Sequence, residues 1–102
     1  MVSGETISIK RYQHDGEQLL AACDEELLDR TLREGELSLT IYRSFYHAES
    51  CDGPTLCRYL EMASIANLVG ERTVAVAVKM GLVERSCVMM IDGVPHAQMV
   101  RL

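Results

Sequence analysis

Two of the three Asp-Gly dipeptides, those set between apolar runs, place the strongest constraint on how this chain folds. Asp15-Gly16 and Asp92-Gly93 both supply residues that accept the positive φ angles of a two-residue turn. Such a turn between runs of strand character predicts an antiparallel hairpin. The runs are residues 6–12 and 18–23 around the first dipeptide, and residues 86–91 and 94–100 around the second.

The segment between the hairpins begins with a helix signal. Asp24 is a good N-cap, and the two glutamates that follow it complement the helix dipole. Leucines then recur at helical spacing up to Gly35, which predicts a short amphipathic helix over residues 24–35. Residues 36–41 alternate apolar and polar side chains and predict a strand. An aromatic patch follows, formed by Tyr42, Phe45 and Tyr46.

Two further helices are predicted in the second half. One begins at Pro54, which suits the first helical position, and its apolar stripe continues at intervals of three and four residues to an amide, Asn67. The other spans residues 70–81 and ends at Gly81. Its alternating valines also fit a strand, but the neighbouring residues are good helix formers and favour the helix.

Length and composition bound the fold class. The 102 residues are 48% hydrophobic and carry a formal net charge of −5, which fits one domain, residues 1–102, with one modest core. Strands joined by tight turns predict an α+β fold, a mostly antiparallel sheet with about three helices packed on one of its faces. The excess of acidic over basic side chains argues against non-specific binding along nucleic acid, although it is compatible with a local basic site.

Compartment and metal chemistry are also constrained. No apolar run approaches the roughly 20 residues of a membrane span, and no secretory signal is visible, so the expected location is the cytoplasm. The four cysteines form no Cys-x-x-Cys pair, and we interpret most of them as buried thiols. A metal site from His47, Cys51 and Cys57 is disfavoured because the spacing is irregular and a fourth ligand is lacking. We therefore predict no metal and no cofactor.

The first candidate binding segment contains Asn67, Gly70 and Arg72. A glycine before a helix start can expose N–H groups to an anion, and an arginine in the first turn could add a bidentate contact. In the alternative, Gly70 only permits a tight corner and Arg72 pairs with a surface acid. Asn67 either satisfies carbonyl groups at the end of the preceding helix or reads a ligand in a cleft.

The second candidate segment contains Pro95, His96 and Gln98. Proline cannot donate to a strand ladder, which predicts an edge or a bulge at Pro95 and an accessible His96 beside it. His96 could serve as a general base or as a donor to an oxyanion. The alternative is a histidine hydrogen-bonded to a nearby carbonyl group.

The sequence resembles a known family in four segments. They are residues 23–28, Phe45-Tyr46, residues 65–72 and residues 93–98, of which the last two are the most specific. They resemble the small archaeal proteins catalogued as domain of unknown function 424. The resemblance implies an archaeal cytoplasmic α+β protein without assigned activity, and it favours an association with translation or RNA. It transfers no catalytic residue.

Three functions remain open at this point. The first is a non-enzymatic module that binds RNA or a ribonucleoprotein through Asn67, Arg72, His96 and Gln98, with an aromatic residue for stacking. The second is a small enzyme or ligand-binding protein for an anionic small molecule, in which both candidate segments share one pocket and a homodimer is a natural corollary. The third is a protein-interaction subunit with an exposed methionine surface near Met89 or Met99.

Overall fold

The two predicted hairpins are confirmed. The computed structural model describes residues 6–101 and pairs β1 (Ile7–His14) with β2 (Glu17–Asp24), and β7 (Met89–Ile91) with β8 (Val94–Val100). Both turns have positive φ at their two central residues, 50° and 81° in the first and 53° and 75° in the second. These angles belong to the type I′ turn, whose twist matches that of the flanking strands.

Both hairpins belong to one six-stranded sheet of order β5-β1-β2-β6-β8-β7. Strand β5 (Glu49–Cys51) pairs with β1, and β6 (Ile65–Val69) lies between β2 and β8. The β2–β6 pair is parallel and the other four pairs are antiparallel. The predicted α+β class with a mostly antiparallel sheet is therefore confirmed.

The helices divide between the two faces of this sheet. Helices α2 (Gly53–Met62) and α3 (Glu71–Lys79) pack on one face and form the larger core with buried residues such as Ile9, Leu20 and Leu68. The short helix α1 (Arg43–Tyr46) packs on the opposite face, beside a second core around Cys23 and Val69. The expectation that all helices lie on one face is thus wrong for α1.

The predicted helix over residues 24–35 is wrong. A single 3₁₀ turn, Glu25–Leu27, is followed by β3 (Thr31–Glu34) and β4 (Leu37–Thr40), which pair as a separate small hairpin. Two residues with positive φ break the helical path: Asp29 at 68°, and Gly35 at 60° in the β3–β4 turn. Leu32 is fully buried in the second core between exposed neighbours, which is a strand pattern. The strand predicted at 36–41 is confirmed as β4.

The helix predicted from Pro54 ends earlier than its apolar stripe. Asp52 caps it by accepting a hydrogen bond from Thr55 N at 2.8 Å, and Pro54 lies in its first turn. The last helical residue is Met62, and residues 65–69 form β6, where Ala66 and Leu68 are buried. Asn67 consequently lies on a central strand. The helix predicted at 70–81 is confirmed as α3.

Candidate functional site

The N-terminus of α3 is capped by a residue from another element. Asp24, at the end of β2 and only 3% exposed, accepts hydrogen bonds from Arg72 N at 3.1 Å, Thr73 N at 2.9 Å and Thr73 Oγ1 at 2.8 Å. These N–H groups lack intrahelical partners, so the carboxylate satisfies them and complements the positive end of the helix dipole. Asp24 therefore caps α3 and not a helix that follows it in sequence.

Gly70 lies against this carboxylate. A Cβ atom built on Gly70 would lie 2.6 Å from Asp24 Oδ1 and 2.8 Å from Asp24 Cβ, and the φ angle of Gly70 is +110°. A side chain at position 70 would both collide with Asp24 and strain the backbone. The close approach of two strand ends explains this glycine without a ligand.

Arg72 is engaged on the same side of the chain. Its guanidinium group donates a hydrogen bond to Glu26 Oε1, a second at 3.4 Å to Thr6 O, and lies 3.9 Å from Asp24 Oδ2. The Arg72 hydrogen bond lowers the pKa of the Glu26 carboxyl group. An external anion at Gly70 and Arg72 would compete with two carboxylates of the chain itself, so the predicted anion site stays a prediction.

Asn67 and Gln98 form an amide pair across β6 and β8. They are directly opposite in the ladder, and Gln98 Nε2 donates to Asn67 Oδ1 at 2.9 Å. The interpretation that Asn67 satisfies helix-terminal carbonyl groups is wrong, because the helix ends five residues earlier at Met62. The other polar atom of each amide group, Asn67 Nδ2 and Gln98 Oε1, can still form hydrogen bonds to a ligand.

His96 lies two residues before Gln98 on β8 and therefore on the same face of the sheet. Its ring is half-buried, and within residues 6–101 it forms no hydrogen bond. Desolvation lowers the pKa of His96, so the imidazole is neutral at pH 7. The alternative of a histidine bonded to a nearby carbonyl group is not what the structure shows.

Pro95 lies inside the sheet and not at an edge or bulge. It is opposite Met90 of β7, and its carbonyl group accepts a hydrogen bond from Gly70 N at 2.9 Å. The nitrogen of Pro95 faces the end of β6, where the acceptor nearby is the Gly70 carbonyl group. That carbonyl group already accepts a hydrogen bond from Val74 N. A missing N–H at this position consequently leaves no acceptor without a partner.

The strand register arranges a row of side chains on the face that carries the amide pair. Leu19, Ile65 and Val100 occupy adjacent positions on β2, β6 and β8, one step along the strands from Asn67 and Gln98. Val100 is 59% exposed, and the two others are half-buried. We call these five residues the platform: Leu19, Ile65, Asn67, Gln98 and Val100. His96 lies next to Gln98 on the same face of β8, at the end of the platform that is farther from Val100.

Of the five predicted ligand-binding residues, the structure brings three together: Asn67, His96 and Gln98. Gly70 and Arg72 lie at the end of β6, where they interact with Asp24 and Glu26. Sequence reasoning missed the apolar part of the platform. Ile65 and Asn67 are half-buried and alternate with the buried Ala66 and Leu68. The helical spacing of the preceding apolar residues hides this period-two pattern in the sequence.

Aromatic residues border the platform. Phe45 stacks on Tyr12 with a centroid distance of 5.3 Å, and the Tyr12 hydroxyl donates to Phe45 O at 2.8 Å. Lys10 Nζ lies 5.3 Å from the Tyr12 ring centroid and donates to Ser44 O at 2.8 Å. Tyr46 is buried, which raises its pKa to about 12, whereas Tyr42 is 61% exposed. Of the three residues predicted for stacking, only Tyr42 is exposed.

The expectation of mostly buried thiols holds for two of the four cysteines. Cys23 and Cys51 are buried, and burial raises the pKa of Cys23 to about 12, but Cys57 is half-buried and Cys87 is exposed. Among residues 6–101 no group of three or more His, Cys, Asp or Glu side chains is arranged to hold a metal ion. His47 Nδ1 instead lies 2.6 Å from Ser8 Oγ.

Residues 12–102 match a protein family described as "Protein of unknown function (DUF424)". The match covers most of the chain, and the chain belongs to this family. A search of curated proteins gave no match. The fold is similar to that of an uncharacterized conserved protein from Methanopyrus kandleri, with a TM-score of 0.75, 24% identity and coverage of 94% of each chain. In the part of the chain that the structure describes, no helix is long and apolar enough to span a membrane.

Proposed function

We propose that the protein is a non-enzymatic binding module whose platform receives unpaired bases of RNA, alone or within a ribonucleoprotein. The observation that carries this proposal is the Asn67–Gln98 amide pair, which is bordered by apolar side chains on an accessible part of the sheet face that also carries the second core. Proteins often bind single-stranded RNA on an exposed surface of a β-sheet. The cytoplasmic location expected from the sequence stays a prediction.

The chemistry of the platform suits the edge and the face of a base. Asn67 Nδ2 is a donor and Gln98 Oε1 an acceptor, a combination that complements the donor and acceptor pattern of a Watson–Crick edge. Ile65, Leu19 and Val100 form an apolar row beside the amides, against which the face of a base can pack. The neutral His96 adds one donor and one acceptor at the end of the surface.

The charge distribution favours bases over phosphates as the source of affinity. Lys10 is the cation that contacts the aromatic border of the platform, and the chain as a whole carries a formal net charge of −5. Binding through many neutralised phosphates requires far more positive charge. A module of this composition would recognise exposed bases and bind duplex RNA poorly.

The test is fluorescence anisotropy with a labelled pool of random single-stranded decanucleotide RNA at low salt. We expect Gln98→Ala to weaken binding about tenfold, since truncation removes one hydrogen-bonding amide and leaves Asn67 without its partner. Gln98 is exposed, so its truncation leaves the core intact. The matched control is Gln13→Ala, because Gln13 is an exposed glutamine on β1 that points away from the platform.

Two results would overturn the proposal. One is the absence of saturable binding to the RNA pool at low salt, where every electrostatic contribution is largest. The other is equal weakening by Gln98→Ala and Gln13→Ala, which would place any binding elsewhere. Hairpin RNA of the same base composition serves as the duplex comparison.

The second candidate function is the binding or turnover of an anionic small molecule. That function needs Gly70, Arg72 and His96 to hold one ligand. Asp24 already accepts from two N–H groups at the start of α3, and Glu26 accepts from the Arg72 guanidinium group. No specific observation therefore favours this function over base binding.

A further inference from the structure

A groove lies between α3 and the β7–β8 hairpin, on the face of the sheet opposite the platform. Its volume is about 680 Å³. Its apolar lining comes from Val74, Ala75, Val78, Val88, Met90 and Pro95. Met90 is 50% exposed, and the flexible thioether of methionine adapts to differently shaped partners. The groove shares no residue with the platform, so it is a second and independent surface.

The two ends of this groove carry opposite charges. Glu71 lines it from the first turn of α3 and Lys79 from the last, eight residues or about 12 Å farther along the helix. Arg85, in the 3₁₀ turn after the helix, adds a second cation. Within residues 6–101, the side chains of Lys79 and Arg85 form no ion pair or hydrogen bond. In a chain with net charge −5, two cations without counter-ions beside an apolar groove favour a carboxylate there.

Strand β7 offers backbone hydrogen bonds beside the groove. It is the last strand of the sheet among the described residues, so one of its sides has no strand partner. The type I′ turn makes Ile91–Val94 a hydrogen-bonded pair, and the alternate residue Met90 therefore directs its N–H and carbonyl groups outward. The Met90 side chain lines the groove, so these groups lie at its rim.

We propose that this groove binds an extended C-terminal segment of a partner protein, added as an antiparallel strand on β7. Aliphatic side chains at alternate positions enter the groove, and the terminal carboxylate lies near Lys79 and Arg85. The direction follows from the charges. Strand β7 begins just after the 3₁₀ turn that contains Arg85, and its Met90 lies opposite Pro95, whose carbonyl group accepts a hydrogen bond from Gly70 N at the start of α3. Since β7 therefore starts at the cationic end of the groove, an antiparallel segment has its C-terminus at that end. Strand addition beside a helix combines backbone affinity with side-chain selectivity.

The probe is a pool of fluorescein-labelled hexapeptides of the pattern Gly-Gly-X-Val-X-Val, where X is serine, threonine or glutamate and the C-terminus is free. We expect saturable binding by anisotropy, and binding about fivefold or more weaker for the same pool with an amidated C-terminus. Amide NMR shifts should change along α3 and β7 and remain unchanged at Asn67 and Gln98. This separates the outcome from that of the RNA proposal.

Two variants locate the binding. Ala75 is exposed on α3 and lines the groove, so Ala75→Glu places an acidic side chain there without disturbing the core. We expect Ala75→Glu to weaken peptide binding about tenfold, and the double change of Lys79→Gln with Arg85→Gln about fivefold. Arg33→Gln on β3 changes the net charge by the same amount as Ala75→Glu, and it should leave the affinity unchanged. Thermal unfolding of each variant checks that the fold is retained.

Absence of saturable peptide binding at about 1 mM protein would overturn the proposal. Binding that is equal in the wild type and in Ala75→Glu would also overturn it, because the peptide would then lie elsewhere. Vesicles containing anionic phosphatidylglycerol are the third arm of the experiment. If they bind through Lys79 and Arg85 while the peptides do not, the groove recognises a membrane surface and the peptide proposal is wrong.

Discussion

At the scale of single residues, Gly70 shows how a position can be fixed by a contact remote in sequence. Replacing it by alanine places a Cβ atom 2.6 Å from Asp24 Oδ1 at a φ of +110°. We expect Gly70→Ala to lower the free energy of unfolding by about 3 kcal/mol, since backbone strain and displacement of a buried carboxylate add together. Urea unfolding measures this change.

Gly53→Ala is the control for that experiment. Gly53 lies in the first turn of α2, and its added Cβ would meet only Val76 Cγ2 at 4.0 Å, an ordinary contact. The stability should change by less than about 0.5 kcal/mol. Equal effects at the two glycines would contradict the explanation given for Gly70.

His96 gives a second prediction at this scale. Burial lowers its folded-state pKa, so the unfolded chain binds the proton more readily and stability is lost as the pH falls below about 6.5. His96→Gln removes this contribution. Urea unfolding at pH 7.5 and pH 5.0 should therefore show a smaller loss on acidification in His96→Gln than in the wild type. An equal loss in both proteins would mean that the pKa of His96 is the same in the folded and the unfolded chain.

At the scale of elements, the start of α3 depends on β2. Asp24→Ala would leave two N–H groups and the Thr73 hydroxyl group without their buried acceptor. We expect a loss of about 3 kcal/mol, because buried donors without partners cost more than a lost exposed cap. Asp52→Ala, which removes the local cap of α2, should cost less than Asp24→Ala. Chemical denaturation of the two variants compares them, and a larger loss for Asp52→Ala would refute the ranking.

At the scale of the whole molecule, the net charge of −5 limits how RNA binding can depend on salt. With Lys10 as the cation at the border of the platform, about one phosphate is neutralised. The logarithm of the binding constant should then fall against the logarithm of salt concentration with a slope of about −0.7. Anisotropy titrations between low and moderate salt measure the slope. A value several times steeper would indicate a basic surface that the platform does not contain.

The sequence by itself determined the elements whose cause is local. The two Asp-Gly turns fix their hairpins because positive φ and the alternating runs lie within a few residues, and α3 follows from good helix formers that end at Gly81. Strand β4 was predictable for the same reason. Asn67, His96 and Gln98 could be singled out as candidates, but their grouping could not, because it depends on strand order.

Only the tertiary structure decided the remaining features. Residues 24–35 have a helical spacing of leucines, yet residues 31–34 form a strand that pairs with β4. This pairing buries Leu32 in the second core. Residues 65–69 continue a helical stripe, yet they pair in parallel with β2, more than 40 positions earlier in the chain. Asp24 caps a helix that begins 47 residues later. Burial and pairing between segments distant in the sequence determine these features, and local propensity alone does not predict them.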